Sequence, residues 1–513
     1  MQLEKESEPA GADENDRRWL KRCGLLAGGL IIGFLWVIVE RNLGDRALNS
    51  AKAELVARGE LLTFADFRRL LHTTNAPVFN EYSNLLLSVA GVYQSPRRFW
   101  RSLTGRKYVW SQVTNWPAQS GTGWVDDVWT VIPGSVESNR GLLTRAAELA
   151  TNDFVVAELP FDSRHFRAFG RLVKGYADLQ ALAFLGTLYD LREGRFAEAL
   201  ANQLQALQLT HATRRDPSLI HFIRLDRIST VAEGAWELLH HDVWSDAQLA
   251  ALQAAWEAIE LIQPMADEMR VGRVQNMDWW RKAYADPRQL HTYTTGGGGS
   301  LVSGVGRKIG KLFGGHGRVS EVVESVRALW WPIVPAQHDA AFFLRMWQTN
   351  ILALEAMDRA RSPLAAAGWC PTNVPSTYLF SKWMSRGVRD WMPLIQRGEA
   401  IRTIVITAIA IKRYRRLHGT VPVTLKDLVP DLLPVEPIDW FDGLPLRYKP
   451  MPDGEYLLYS IGDDLIDDRG SVVNRSKFWG KDKDIVWPMP ATGQETDNRR
   501  MDLLYEKNKS AKP

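Results

Sequence analysis

The feature that most constrains this chain is the run CGLLAGGLIIGFLWVIV, Cys23 to Val39, which contains no charge and no proline. A helix crosses a bilayer core with roughly 17–25 apolar residues, so this run is long enough to span. Arg17, Arg18, Lys21 and Arg22 stand immediately before it, and Trp19 and Trp36 suit the two membrane–water interfaces. The leading cations favour an N-terminus in the cytoplasm, a bias reduced by Arg41, Arg46 and Lys52 on the other side. Glu40-Arg41-Asn42-Leu43 offers no small-x-small cleavage site, and Cys23 precedes the apolar run where a lipidation cysteine would follow it. The reading is an uncleaved signal anchor over 17–43, behind a disordered cytoplasmic tail over 1–16. It implies a single-pass protein of a bacterial inner membrane whose body is extracytoplasmic.

The rest of the chain has the composition of a globular protein. Of 513 residues, 45% are hydrophobic and 24% charged, which allows a large core. A formal net charge of +4 is too small to argue for a nucleic-acid partner. The 21 tryptophans supply much buried area, and some are candidates to face ligand or lipid. Cys23 and Cys370 fall on opposite sides of the expected membrane and should not pair, and no cysteine spacing suits a metal.

The expected fold class is mainly α. An irregular α-helical body with αα-hairpins covers 44–392, and a small α+β module follows over 393–490. Residues 491–513 read as a disordered tail. Residues 44–75 have helical spacing. The stretch 92–140, rich in Trp, Gly, Ser and Pro, reads as irregular. Leu179, Leu182, Leu185 and Leu188 form one apolar stripe, Arg192-Glu193-Gly194 breaks it, and Phe196, Ala199, Leu200, Leu204 and Leu207 resume it. This is an αα-hairpin. A third helix follows Asp216-Pro217, and Ser245-x-x-Gln248 is a capping box for a fourth. The hairpin resembles a single tetratricopeptide-type repeat, but no second copy recurs at a fixed period. The glycine-rich segment 294–317 fails as a phosphate loop, with Val305 and Leu312 at required positions. It reads either as a mobile loop or as a short basic amphipathic helix at a membrane surface. Further helices are expected over 319–330, 336–361 and 393–417.

After His418-Gly419 the pattern becomes strand-like. Leu446-Arg447-Tyr448 and Tyr456-Leu457-Leu458-Tyr459 flank a Pro452-Asp453-Gly454 turn. In order, the chain carries Tyr414, His418-Gly419, Pro422, Thr424-Leu425, Leu428-Val429-Pro430 and Leu433-Pro434. It continues with Pro437, Asp439, Gly443, Pro445 to Tyr448, Ser460-x-Gly462-x-Asp464, and Asp482-x-Asp484-Ile485 with Trp487. This succession, over roughly 400–490, resembles the C-terminal domain of type II secretion major pseudopilins. The whole chain also resembles a family of uncharacterised membrane-anchored proteins of planctomycetes and verrucomicrobia, a family that implies no activity.

The pseudopilin resemblance implies a calcium site, carried here by Asp464, Asp482 and Asp484. Carboxylates on a loop are suitable hard-oxygen ligands for Ca2+. The loop departs from the pseudopilin pattern in its length and in containing Arg469, Arg475, Lys477 and Lys481, which can neutralise the aspartates without metal. A prepilin peptidase site is absent, because Gly33-Phe34 lies inside the apolar run and Glu40 after it.

No catalytic spacing stands out. There is no H-E-x-x-H and no G-x-S-x-G. His240-His241-Asp242 ends a helix, where histidine complements the dipole. Cys370 has no base assigned by sequence, and the pairs Glu321/Glu324 and Glu355/Asp358 suit solvated helix faces. The expected function is binding or scaffolding of a protein partner in the cell envelope. The alternatives are a hydrolase of envelope polymers, suggested by aromatic residues over 99–140, and an accessory component of a secretion or pilus-like system.

Overall fold

The computed structural model describes residues 12–63, 65–66, 76–92, 123–152, 163–212, 220–286, 330–366, 369, 373–389, 391–452, 454–470 and 484–487. In chain order the helices are α1 (Ala12–Ala57), α2 (Ala76–Val92), α3 (Gly123–Ala150), α4 (Ser163–Arg192), α5 (Phe196–Ala212) and α6 (Ile220–Leu239). They continue as α7 (Asp246–Glu257), α8 (Ile262–Ala285), α9 (Ala336–Ala360), α10 (Leu379–Arg389) and α11 (Trp391–His418). Strands β1 (Arg447–Pro450), β2 (Tyr456–Ser460) and β3 (Ile485–Val486) form one antiparallel sheet in sequence order. The architecture is mainly α with a small C-terminal sheet, as the periodicity predicts.

The chain divides into two compact units. The first takes residues 1–62, 273–349 and 370–388; the second takes 63–272, 350–369 and 389–513.

In the first unit, α1 carries the apolar run and ends as a core helix without a break. Gly44, Leu48, Ala51 and Leu55 recur at helical spacing and are buried. Gly44 is required by close approach, since a Cβ there would lie 3.0 Å from the Gln337 Cβ. Side-chain contacts fix direction. Glu54 meets Arg345 at 2.8 Å and Glu40 meets His338, so α9 runs with α1. Glu60 meets Arg273 at 2.7 Å and Arg41 meets Tyr284, so α8 runs against it.

In the second unit the expected hairpin is α4 and α5. Leu179, Leu182, Leu185 and Leu188 are all buried, and Gly194 turns the chain at φ 72°. Each such leucine contributes about 1.5–3 kcal/mol of transfer free energy. Asp190 locks the turn, accepting from Arg140 at 2.9 Å, Arg195 at 2.8 Å and Asn202 at 2.7 Å. The capping box on α7 is present, with Ser245 and Gln248 exchanging both hydrogen bonds. Helix α11 lies deep in this unit, buried continuously from Ile404 to Ile411. Its cations satisfy carbonyls that other helices leave free at their C-termini: Lys412 donates to Leu239 O, and Arg402 to Trp256 O and Glu257 O.

Two expectations change. The stretch 92–140 is not irregular throughout, because α3 occupies it from Gly123 onward despite Pro133. The physical reason is tertiary: Val136, Asn139, Leu143, Ala146 and Ala147 form a buried stripe that outweighs the local composition. Residues 93–122 lie outside the described residues. The helix of the anchor also begins at Ala12, inside the tail expected over 1–16. The tail expected over 491–513, the segment 294–317 and most of 319–330 lie outside the described residues.

Candidate functional site

The acidic loop grows directly from the end of β2. Ser460 is followed by Ile461 and Gly462, the latter at φ 71°, and the chain then presents Asp463, Asp464, Asp467 and Asp468 before Gly470. Asp463 is neutralised by Arg397 of α11 at 2.7 Å. Asp464 accepts the Ile466 N–H at 3.1 Å, a local turn contact. Asp467 accepts the Tyr459 hydroxyl at 3.0 Å and the Arg469 N–H at 2.8 Å.

Asp484, at the edge of β3, is 9% exposed and accepts the Gly470 N–H at 2.8 Å. Burial pushes its carboxyl up, the Gly470 and Asp468 N–H groups pull it back, and the charges of Asp467 and Asp468 raise it again. Gly470 is fixed by close approach as well as by φ 67°, since a Cβ would lie 2.9 Å from Leu457. Asp482 lies outside the described residues, as do Arg475, Lys477 and Lys481. Among the described residues no three metal-type side chains gather in one place.

Beneath the loop, Asp439 is fully buried and ties the module together. It accepts from Ser460 Oγ at 2.7 Å, Ile461 N at 2.9 Å, Phe441 N at 3.0 Å and Arg447 at 3.0 Å. Arg447 also pairs with Asp442. Burial raises the Asp439 carboxyl above its ordinary value against the pull of those donors. Sequence reading placed Asp439 in the pseudopilin-like succession but gave it no role.

The other sequence candidates have structural partners. Asp242 pairs with Lys412, His240 packs edge-on against Trp236, and His241 packs against Phe196. Burial pushes His240 down to about 4, so it is neutral at physiological pH. Glu355 pairs with Arg270, and Asp358 lies 3.7 Å from Arg361. Cys370, Glu321 and Glu324 lie outside the described residues.

A second cluster, not predicted from sequence, surrounds the end of the apolar run on α1. Trp36 stacks on Trp330, ring centroids 6.2 Å apart and planes within 7°. One turn further, His338 Nε2 lies 3.2 Å from Glu40 O, and Arg41 donates to the Tyr284 hydroxyl at 2.8 Å. Gln337 donates to the same hydroxyl, and Tyr284 stacks on Trp280. Thus the C-terminal end of α8 and the start of α9 both stand at the level where the apolar run ends.

Asp339 secures this end of the unit. Its carboxylate is fully buried and accepts from Trp331 Nε1 at 2.7 Å, Phe380 N at 2.8 Å, and Ser381 N and Oγ at 2.9 and 2.5 Å. It therefore caps the N-terminus of α10 from another helix. Burial pushes Asp339 up to about 6, with its donors pulling the other way. The contrast with Asp190 shows what a cation does. Burial raises Asp190 too, but Arg140 and Arg195 outweigh it and hold the carboxyl below its ordinary value.

No family model, curated protein or solved structure matches this chain.

Proposed function

We propose that this chain is a single-pass membrane-anchored binding protein of a bacterial cell envelope, with its N-terminus in the cytoplasm and both folded units beyond the membrane. The observation that carries this reading is the nakedness of α1 between Leu25 and Val39. Leu25 is 78% exposed, Leu30 75% and Ile32 70%, and Gly28, Gly29 and Gly33 each face open space. The helix is long and apolar enough to cross a membrane. In water each such large apolar side chain forgoes about 1.5–3 kcal/mol, a cost that lipid removes. The leading cations Arg17, Arg18, Lys21 and Arg22 support the orientation. The absence of catalytic spacing, together with the ion-paired state of Asp242, Glu355 and Asp463, supports binding over catalysis.

The test is topological. In spheroplasts, a membrane-impermeant maleimide should label Val56→Cys without lysis, and the protein should resist alkaline carbonate extraction. Release by carbonate, or labelling only after lysis, would overturn the assignment. Detergent-solubilised protein should then retain a stoichiometric protein partner through purification.

A second reading concerns the acidic loop, in which Asp464, Asp482 and Asp484 hold calcium. It is favoured by the position of Asp484, whose carboxyl is raised by burial and by the neighbouring charges of Asp467 and Asp468. A cation relieves both effects. The module's likeness to pseudopilins points the same way.

A further inference from the structure

We propose that the turn Trp330–Pro335 is a second membrane contact, a short wedge seated in the interfacial zone of the bilayer beside α1. This rests on the reading of α1 as a membrane span. The turn alternates sharply between core and surface. Trp331 is fully buried and Val334 nearly so, whereas Trp330 is 39% exposed and Ile333 42%.

The buried half is held firmly. Trp331 Nε1 donates to Asp339 at 2.7 Å, Ala336 N donates to Trp331 O at 3.0 Å, and Asp339 N donates to Pro335 O at 2.7 Å. Trp280 Nε1 donates to Ala336 O at 3.0 Å from the neighbouring helix. These bonds fix the exposed half in place, so Trp330 and Ile333 are presented by a rigid base.

Their depth follows from Trp36. The Trp330 ring stacks on Trp36, which lies one turn before the end of the uncharged run at Val39. A ring in contact with that turn stands at the height where the helix passes from hydrocarbon to headgroups. Tryptophan favours that zone because its body is apolar while its N–H is polar. The polar groups next in height are Glu40, Arg41, Tyr284 and His338, which belong on the aqueous side. Among the described residues, the exposed apolar surface of the turn thus meets that of α1 at Trp36, with these polar groups next to it on the side away from the apolar run. Lipid is the occupant that fits such a boundary; a protein partner in solution would have to meet Trp36 as well.

The experiment uses the full chain, with Cys23→Ser and Cys370→Ser, in vesicles of phosphatidylcholine and phosphatidylglycerol carrying nitroxide lipids. Single cysteines replace Leu30, Ile333 or Val56 in turn and carry an environment-sensitive fluorophore. Val56 lies on α1 about 30 Å beyond Trp36 at 1.5 Å per residue. The expected result is loss of most emission at Leu30→Cys with deep nitroxides, loss at Ile333→Cys with shallow nitroxides, and none at Val56→Cys. Quenching at position 30 without quenching at 333 overturns the wedge and leaves the span standing. No quenching at position 30 overturns the span and the wedge together. A second variant pair, Trp330→Ser with Ile333→Ser, removes the wedge without touching the buried half. It should leave the folded protein with weaker shallow quenching of a probe at Val39→Cys, the last residue of the uncharged run; unchanged quenching there counts against the proposal.

Discussion

Trp331 and Asp339 meet at 2.7 Å, indole N–H to carboxylate, with neither side chain in contact with solvent. The bond joins a turn to the first full turn of α9, and the same carboxylate reaches across to the start of α10. Three pieces of chain thus depend on one side chain that has no cation in its bonding set.

Asp339→Ala should therefore be costly. Each buried donor left without a partner costs about 1–3 kcal/mol, so losing the acceptor of Trp331, Phe380 and Ser381 should destabilise the protein by about 3 kcal/mol or more. Ser381→Ala removes only a hydroxyl and should cost about 1 kcal/mol. Denaturant midpoints of the detergent-solubilised chain distinguish the two.

The same residue should give stability an acid-side signature. Its folded pKa, about 6, lies above the ordinary value of 3.8. Between those values the folded state binds more protons than the unfolded one, so this group's contribution falls as pH rises and levels off above about 6. Asp339→Asn should abolish that part of the slope between pH 4 and 7. Denaturation at several pH values in both proteins checks it; parallel curves would rule out the raised carboxyl.

Asp439 and Arg447 form a pair of the opposite kind, a buried carboxylate held by a partly exposed guanidinium that is charged whatever the pH. Arg447→Met should cost about 1–3 kcal/mol, because it leaves the buried carboxylate short of a donor. Because Asp439 also accepts from Ser460 and Ile461, the sheet should loosen first. Faster hydrogen exchange at Tyr456–Ser460 than in α11 is the expected observation.

Gly175→Ala tests helix packing in the second unit. A Cβ at 175 would lie 2.0 Å from the Leu86 carbonyl oxygen, a backbone atom that cannot swing aside. Helices α2 and α4 must separate, which should cost about 1–3 kcal/mol or more. Gly28→Ala, facing open space on α1, should leave the thermal midpoint unchanged.

Calcium titrated into the full chain in nanodiscs should release or absorb heat, and Asp484→Asn should weaken that binding at least about tenfold, as loss of a charged ligand does. No heat at millimolar calcium would remove the site. The full chain is the right object, since α11, which leads into the module, is buried among other helices of its unit from Ile404 to Ile411.

Much of this was legible in the sequence where a pattern is local. The α4–α5 hairpin, the Ser245 capping box, and the bounds of α9 and α11 follow from apolar spacing and end signals. So do the paired strands around Gly454. What escaped was set at a distance. Gly134, Ser135 and Pro133 read as a loop because the stripe at Val136, Asn139 and Leu143 is made decisive by packing. Asp339 and Asp439 have no local mark, because their meaning lies in donors supplied by residues 380–381 and 460–461. Asp463 stands next to the candidate ligand Asp464, yet Arg397 from a distant helix neutralises it, a pairing no local pattern announces. The acidic loop is visible as composition, and the separate partners of Asp463, Asp464 and Asp467 are not.

Helix α1 has no hinge. Its 46 residues, about 69 Å at 1.5 Å per residue, run from the bare apolar stretch into the packing at Leu48, Ala51 and Leu55 without a proline or a turn. A span answers a thinner or thicker bilayer chiefly by changing its tilt. In this protein that tilt has no joint in which to dissipate. On the proposed reading of α1 as a span, the first unit leans with it, and bilayer thickness sets the angle of that unit to the membrane.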